Sequence, residues 1–150
     1  MTYSQRQYEI SALMAVIHPD LHQGTYYTPW VRASDYMCFT AELYAGDMGQ
    51  GGTIDMEMQQ AQDSAGTGGK TVVNAGGTTK AITQLTQAGG DGDDACCIEC
   101  RSEELDAANN FHWIRLRLDV LVASANACAV LRGWFPRYIP VANNWTEAVV

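Results

Sequence analysis

Hydrophobic and polar positions alternate with a period of two over much of this chain, most clearly in "FHWIRLRLDVLVAS". There Ile114, Leu116, Leu118, Val120 and Val122 fall on one side, and Trp113, Arg115, Arg117 and Asp119 on the other. That pattern predicts a half-buried strand; a helical period would scatter the same residues around an axis. "YMCFTAELYAG" (36–46) alternates likewise, with Met37, Phe39, Ala41 and Leu43 against Tyr36, Cys38, Thr40, Glu42 and Tyr44. "TIDMEMQQ" sets Ile54, Met56 and Met58 against Asp55, Glu57 and Gln59. With "GDMGQGG" as the turn, these two segments are expected to pair as a β-hairpin. "ACCIECRSEEL" adds a strand with Cys96, Ile98 and Cys100 on one face. "ANACAVLRGWF" is a last strand before the proline-limited tail "PRYIPVANNW".

The remainder is less regular. Residues 1–20 admit an extended arm or a short helix lined by Tyr8, Ile10, Leu13, Met14 and Ile17. His18-Pro19-Asp20 is expected to end that segment either way, because the residue before proline avoids the helical region. "HQGTYYTPW" reads as a loop or hairpin. From Lys70 to Asp94, Thr, Gly and Asn break the chain every few residues, which fits short strands and turns. Seven or eight short strands and no linker predict one all-β domain over 1–150. The expected architecture is a β-sandwich of jelly-roll-like type, with extended N- and C-terminal arms and the tail over 136–150.

Composition narrows the function classes. At 150 residues and 47% hydrophobic the chain is long and apolar enough to build a core. Charged residues are 17%, against about 25% in a typical domain, which points to a surface partly covered by neighbouring subunits. A net charge of −8 opposes direct nucleic-acid binding, which needs a basic face. No apolar run reaches the roughly 18 residues of a membrane span, so no membrane role is expected. "MTYSQRQYEI" lacks the basic and apolar blocks of a signal peptide, so the chain is expected to stay in a cytosol with its five cysteines as free thiols.

Four stretches raise the question of chemistry. "DSAGTGGKT" (63–71) comes within one residue of the phosphate-binding loop G-x-x-x-x-G-K-[ST], but Ser64 replaces the first glycine. The "TVVNAGGTT" after it cannot supply the helix whose N-terminus cradles phosphate, so a turn is the better reading of Lys70 and Thr71. Cys97-x-x-Cys100 is half a zinc site, yet no second pair exists, and on a strand these positions face opposite sides. His18 and His22, and "DGDD" (91–94), read as loop residues and a solvated turn rather than metal ligands. No nucleophile motif is present, and His112 reads as a packed side chain. No catalytic residue, metal or cofactor is therefore expected, and the enzyme reading through Lys70-Thr71 or the cysteines is the distant alternative. A sandwich that stacks sugars on exposed Trp and Tyr is another.

The aromatic and arginine positions point instead to contact between subunits. Tyr26, Tyr27 and Trp30 lie near the start, and Trp134, Phe135, Tyr138 and Trp145 near the end. Aromatic residues bury large area at small entropic cost and are enriched at interfaces. Arg115 and Arg117 are candidates for pairing with Glu99, Glu103 or Asp119 or with another subunit, and Arg137 for an inter-subunit pair.

The run "QQAQDSAGTGGKTV" (59–72), then "EELDAANNFHWIRLRLDV" (103–120), then "RGWFPRYIP" (132–140) resembles small structural proteins of tailed bacteriophages of the capsid-decoration or cement kind. "TYYTPWVRASDYMCFTAELYAG" (25–46) fits the same pattern. The resemblance implies a β-sandwich that assembles as homotrimers on the outer virion shell and braces the major capsid protein. It brings no catalytic residues. A head–tail neck or tail subunit is the alternative location.

Overall fold

A computed structural model of the chain describes residues 7–138 and 144–147, apart from the side chain of Tyr8. A four-residue helix, α1 (Gln7–Ile10), leads into β1 (Ser11–Tyr27). After it come β2 (Val31–Arg32), β3 (Tyr36–Met48), β4 (Thr53–Ala61), β5 (Lys70–Thr71), β6 (Leu85–Thr86), β7 (Ala95–Arg101) and β8 (Trp113–Pro136). Every pairing in the sheet is antiparallel. The expected all-β, sandwich-like class is what forms, but three of its strands are long rather than short.

β8 organises the molecule. The two strands expected over 111–124 and 125–135 are one, and Pro136, expected in the tail, is its last residue, opposite Tyr36. On one side β1 runs along β8 from Ser11 opposite Trp134 to Tyr27 opposite Arg117. On the other side β3 and β4 lie end to end, β3 against Ala125–Pro136 and β4 against Trp113–Leu121. The expected β3–β4 hairpin does not exist. Gly49 N–H donates to Ser124 O and Gly52 N–H to Gly49 O, each at 2.8 Å, so the glycine segment turns a corner along β8 instead of reversing on itself.

The corner changes which residues face inward. Before it, Ile114, Leu116, Leu118 and Val120 are fully buried; after it, Ala125, Ala127, Ala129 and Leu131 are buried. The switch from even to odd occurs where Val122 takes φ 68° and turns its side chain out, 75% exposed. Expected inward by alternation, Val122 is displaced by this bulge; a β-branched residue there costs on the order of 1–3 kcal/mol. β3 and β4 switch in step, from Phe39, Ala41, Leu43 and Ala45 to Ile54, Met56 and Met58. The sheet thus curls into two layers that share one core. The first layer holds β4, the first half of β8 and the end of β1; the second holds β3, β7, the second half of β8 and the start of β1.

Other expectations are corrected at the edges. β1 does not stop at Pro19 but runs through it, with a register shift between Ile17 and Asp20. A bulge on an edge strand leaves proline's missing N–H without consequence. Of residues 1–20, expected as arm or short helix, 7–10 are helical and 11–20 are strand; 22–27, expected as loop or hairpin, are strand as well, and residues 1–6 lie outside the described residues. The stretch after β5 does form short strands and turns, with Val72 N–H donating to Met58 O, Met58 N–H to Lys80 O and Ile82 N–H to Met56 O. Lys80 then crosses to the other layer, donating from Nζ to Glu99 O of β7 at 2.8 Å and pairing with Glu104 at 2.9 Å.

Candidate interaction surfaces

The expected contact residues, Tyr26 apart, fall in three places. Alternation along β8 puts Arg115, Arg117 and Asp119 on the outside of the first layer. There they meet the end of β1 and the outward side chains of β4. The Arg115 guanidinium lies 4.0 Å from the Tyr27 ring and 4.3 Å from the Trp30 ring, and its Nε donates to Gln59 Oε1 at 2.8 Å. Burial holds its pKa below the ordinary arginine value. Arg117 pairs with Asp119 at 3.0 Å and Glu57 at 3.5 Å. Burial opposes its charge, but Asp119 leads the neighbours that outweigh burial and raise its pKa. Of the partners expected, only Asp119 is met: Glu99 and Glu103 belong to the β7 side of the second layer, where Glu103 pairs with Arg101. Tyr26 faces the core, its ring 4.4 Å from His22.

The glycine-rich loop serves Trp30. A Cβ at Gly66 would sit 2.5 Å from Trp30 Nε1, and Gly66 and Gly68 take φ 88° and 67°, so bare backbone closes over the indole. Asp63 caps the turn by accepting from Ala65 N–H and Thr67 N–H. The chain continues into the two-residue strand β5, and Lys70 pairs with Asp106 at 2.6 Å beneath the Phe111 ring. No phosphate cradle is formed. Cys97 and Cys100 face opposite ways, Cys97 exposed and Cys100 buried. Burial pushes the Cys100 thiol up to about 12 and raises Cys38, Cys96, Cys97 and Cys128 as well, which suits inert thiols rather than nucleophiles. His22 is buried with its Nε2 2.9 Å from His18 O, and no group of three potential metal ligands occurs among the described residues.

The outside of the second layer carries Trp134, whose Nε1–H donates to Thr40 Oγ1 at 2.8 Å. Arg132, not singled out by sequence, pairs with Glu42 at 3.3 Å, and its buried Nη1 has no hydrogen-bond partner among the described residues. Asn144 and Trp145 of the C-terminal tail lie over this region. Asn144 N–H donates to Leu13 O at 3.2 Å and Asn144 Nδ2 to Met14 O at 2.6 Å, on the outer edge of β1. Trp145 brings its ring within 5.2 Å of the Arg132 guanidinium while staying 41% exposed. The rest of the expected tail, 139–143 and 148–150, lies outside the described residues. The third place is the end of β8, where Phe135, Arg137 and Tyr138 are exposed beside a cleft of about 560 Å³ lined by Cys38, Lys80, Cys100 and Glu104.

No protein-family model matches this chain, and no curated protein matches it. Solved structures do. The PBSX exported protein XepA matches 100% of this chain and 45% of its own length, with TM-score 0.52 and 6% identity. The chain thus spans less than half of XepA. The SPBc2 prophage-derived protein YomS matches over 81% of this chain and 95% of its own, with TM-score 0.42 and 6% identity. At this identity the likeness to XepA is one of fold: the curled β arrangement is shared.

Proposed function

We propose that this chain is a structural protein of a phage virion that acts by binding and catalyses nothing. Its place would be that of a capsid decoration or cement protein, trimeric on the outer shell and seated on the major capsid protein. The observation that carries the reading is the exposure of Tyr27, Met37 and Phe135 on the sheet, and of Tyr138 and Trp145 beyond its last strand, outside a buried core. Large apolar side chains outside a complete core are contact surface. The segment resemblance to phage decoration proteins and the fold shared with XepA support it. Such a protein stabilises a shell by covering apolar surface across its seams, and many copies multiply a weak contact.

Particles purified with and without the protein test this. Shells lacking it are expected to open at lower temperature while still holding DNA; equal heat resistance would overturn the cement role. Copy number per particle separates the two locations, hundreds for decoration against six or twelve for a neck or tail subunit.

A further inference from the structure

Among the described residues four polar ones are buried: Ser11, His22, Thr28 and Gln60. Ser11 Oγ donates to Gln7 O, the His22 ring meets His18 O, and Thr28 Oγ1 accepts from Leu116 N–H. Gln60, on β4 and 2% exposed, is only half accounted for. Its Oε1 accepts from Asp106 N–H at 2.8 Å, which fixes the orientation of the side-chain amide. The Nε2 at its other end carries two N–H groups and has no hydrogen-bond partner among the described residues. Unlike Arg132 Nη1 it is not sealed off, because Gln60 lines a cleft of about 370 Å³. A buried polar group left without a partner calls for an explanation. The fold uses the oxygen; nothing in it uses the nitrogen.

The rim of the cleft repeats this arrangement. Asn74 Oδ1 accepts from Thr78 N–H at 2.8 Å and caps the turn over 74–78, while its Nδ2 has no partner among the described residues. The charged groups are engaged. Lys70 pairs with Asp106 at 2.6 Å, and Asp106 also accepts from Asn109 Nδ2. Glu104 holds Lys80 and the Arg101 N–H, and Glu103 pairs with Arg101. Leu105 and Val73 give the wall an apolar strip, Val73 being 44% exposed.

The cleft therefore offers two neutral amide donors, carboxylates that already have partners, and a small apolar surface. An anion would face Glu103, Glu104 and Asp106. A cation would find each of those carboxylates already paired. A peptide brings backbone N–H donors in step with its acceptors, whereas the unused groups here are donors alone. A hydroxyl fits: its oxygen accepts from an amide N–H while its hydrogen goes to a spare carboxylate lone pair or to water. Several hydroxyls around a ring with an apolar C–H face are the chemistry of a neutral saccharide, and the volume suits a small ligand.

We propose that this cleft binds a neutral saccharide, Gln60 Nε2 and Asn74 Nδ2 donating to its oxygens and Val73 and Leu105 packing on its C–H face. This goes beyond the virion-structural reading and does not rest on it. Aromatic stacking plays no part: Tyr27 and Trp30 lie on the outer face of the first layer, with Arg115 against both rings.

Heteronuclear NMR of the isotope-labelled full chain tests it, since the side-chain NH2 groups of Gln60 and Asn74 give signals of their own. The neutral probes are methyl glucoside, methyl galactoside, methyl mannoside, N-acetylglucosamine and cellotetraose. Sodium glucuronate is the charged counterpart, and tetraglycine the peptide one. At least one neutral sugar is expected to shift both NH2 signals saturably at millimolar concentration, and glucuronate to bind more weakly. Asn74→Asp keeps the oxygen that accepts from Thr78 N–H and removes the Nδ2 donor; Gln60→Glu does the same opposite Asp106 N–H. Each is expected to weaken that sugar by about tenfold or more, the loss of one hydrogen bond to a buried site. Should Gln60→Glu not fold, Asn74→Asp decides alone. No shift with any neutral sugar, glucuronate binding as tightly, shifts from tetraglycine only, or unchanged affinity in Asn74→Asp would overturn the proposal. Purified protein alone is measured, so the result stands apart from whether the chain is found in virions.

Discussion

Between Ile114 and Val120 the inward side chains of β8 are Ile, Leu, Leu and Val; between Ala125 and Gly133 they are three alanines, a leucine and a glycine. The same strand thus lines one core with bulk on one layer and almost bare backbone on the other. Bulk is returned to the second layer by its neighbours: Phe39 and Leu43 on β3 are fully buried, and the Tyr36 ring lies over Gly133. Large residues opposite small ones let two layers interdigitate at the density of a protein interior. The alanine half is therefore expected to be full rather than loose.

Truncation and enlargement should separate the halves most strongly. Leu118→Ala in the first half is expected to lose about 2–5 kcal/mol, the cost of transfer plus cavity. In the second half the sensitive change runs the other way: Ala129→Leu should lose about 1–3 kcal/mol by overpacking. Urea midpoints at unchanged slope would show both. If Ala129→Leu were neutral, the small residues would mark a slack layer and the comparison would fail. Gly133→Ala sharpens it further. The new Cβ would sit 2.6 Å from the Tyr36 ring and 2.9 Å from Met14 Sδ, both buried, so about 1–3 kcal/mol should be lost although only a methyl is added.

This contrast also explains what could be read from sequence. In "IRLRLDV" the inward residues are large and the outward ones charged, so strand and face were both legible. In "ANACAVLRG" alanine and glycine carry the inward face, and alternation between small residues gives no direction. That β3 and β4 share one side of β8 was hidden for a related reason: a glycine turn between two alternating runs looks the same whether it reverses the chain or bends it. Only Gly49 bonding to Ser124, a residue distant in sequence, decides it. Val122 and Pro19 were misplaced because a bulge costs one residue of register, which local alternation cannot announce. Of the contact residues, Arg115 and Tyr27 do meet, through cross-strand neighbours. The burial of Arg132 was invisible, since an arginine between Leu131 and Gly133 reads like any outward charge.

The outer faces of the two layers differ as well, and smaller effects probe them. Arg132 and Glu42 are 16% and 22% exposed, whereas Arg117 is 37% exposed and shares its charge with two carboxylates. Glu42→Ala leaves a mostly buried guanidinium with no carboxylate beside it, only the Trp145 ring, and is expected to lose about 1–2 kcal/mol. Glu57→Ala, with Asp119 still in place, should lose less than about 1 kcal/mol. Thermal melts of the two single variants and the parent compare them directly; equal losses would mean that burial does not distinguish the two faces.

The smallest expected effect concerns the tie between the layers. Lys80, carried on the β4 side, grips the backbone of β7 and pairs with Glu104. Burial works against the Glu104 charge, but the Arg101 N–H and the Lys80 ammonium outweigh it and hold the carboxyl below its ordinary 4.5. A carboxyl whose pKa is lower folded than unfolded binds more protons when unfolded. Its contribution is therefore full above about pH 4.5 and falls away as pH drops through the folded value. The melting temperature of the parent should stay level from neutral pH to about 5 and then decline. Glu104→Gln should start lower at neutral pH and lose less below 4.5, because glutamine has no proton to gain while the Lys80 bond to Glu99 O persists. Parallel curves for parent and variant would show that Glu104 does not hold the layers, leaving the shared core to do so alone.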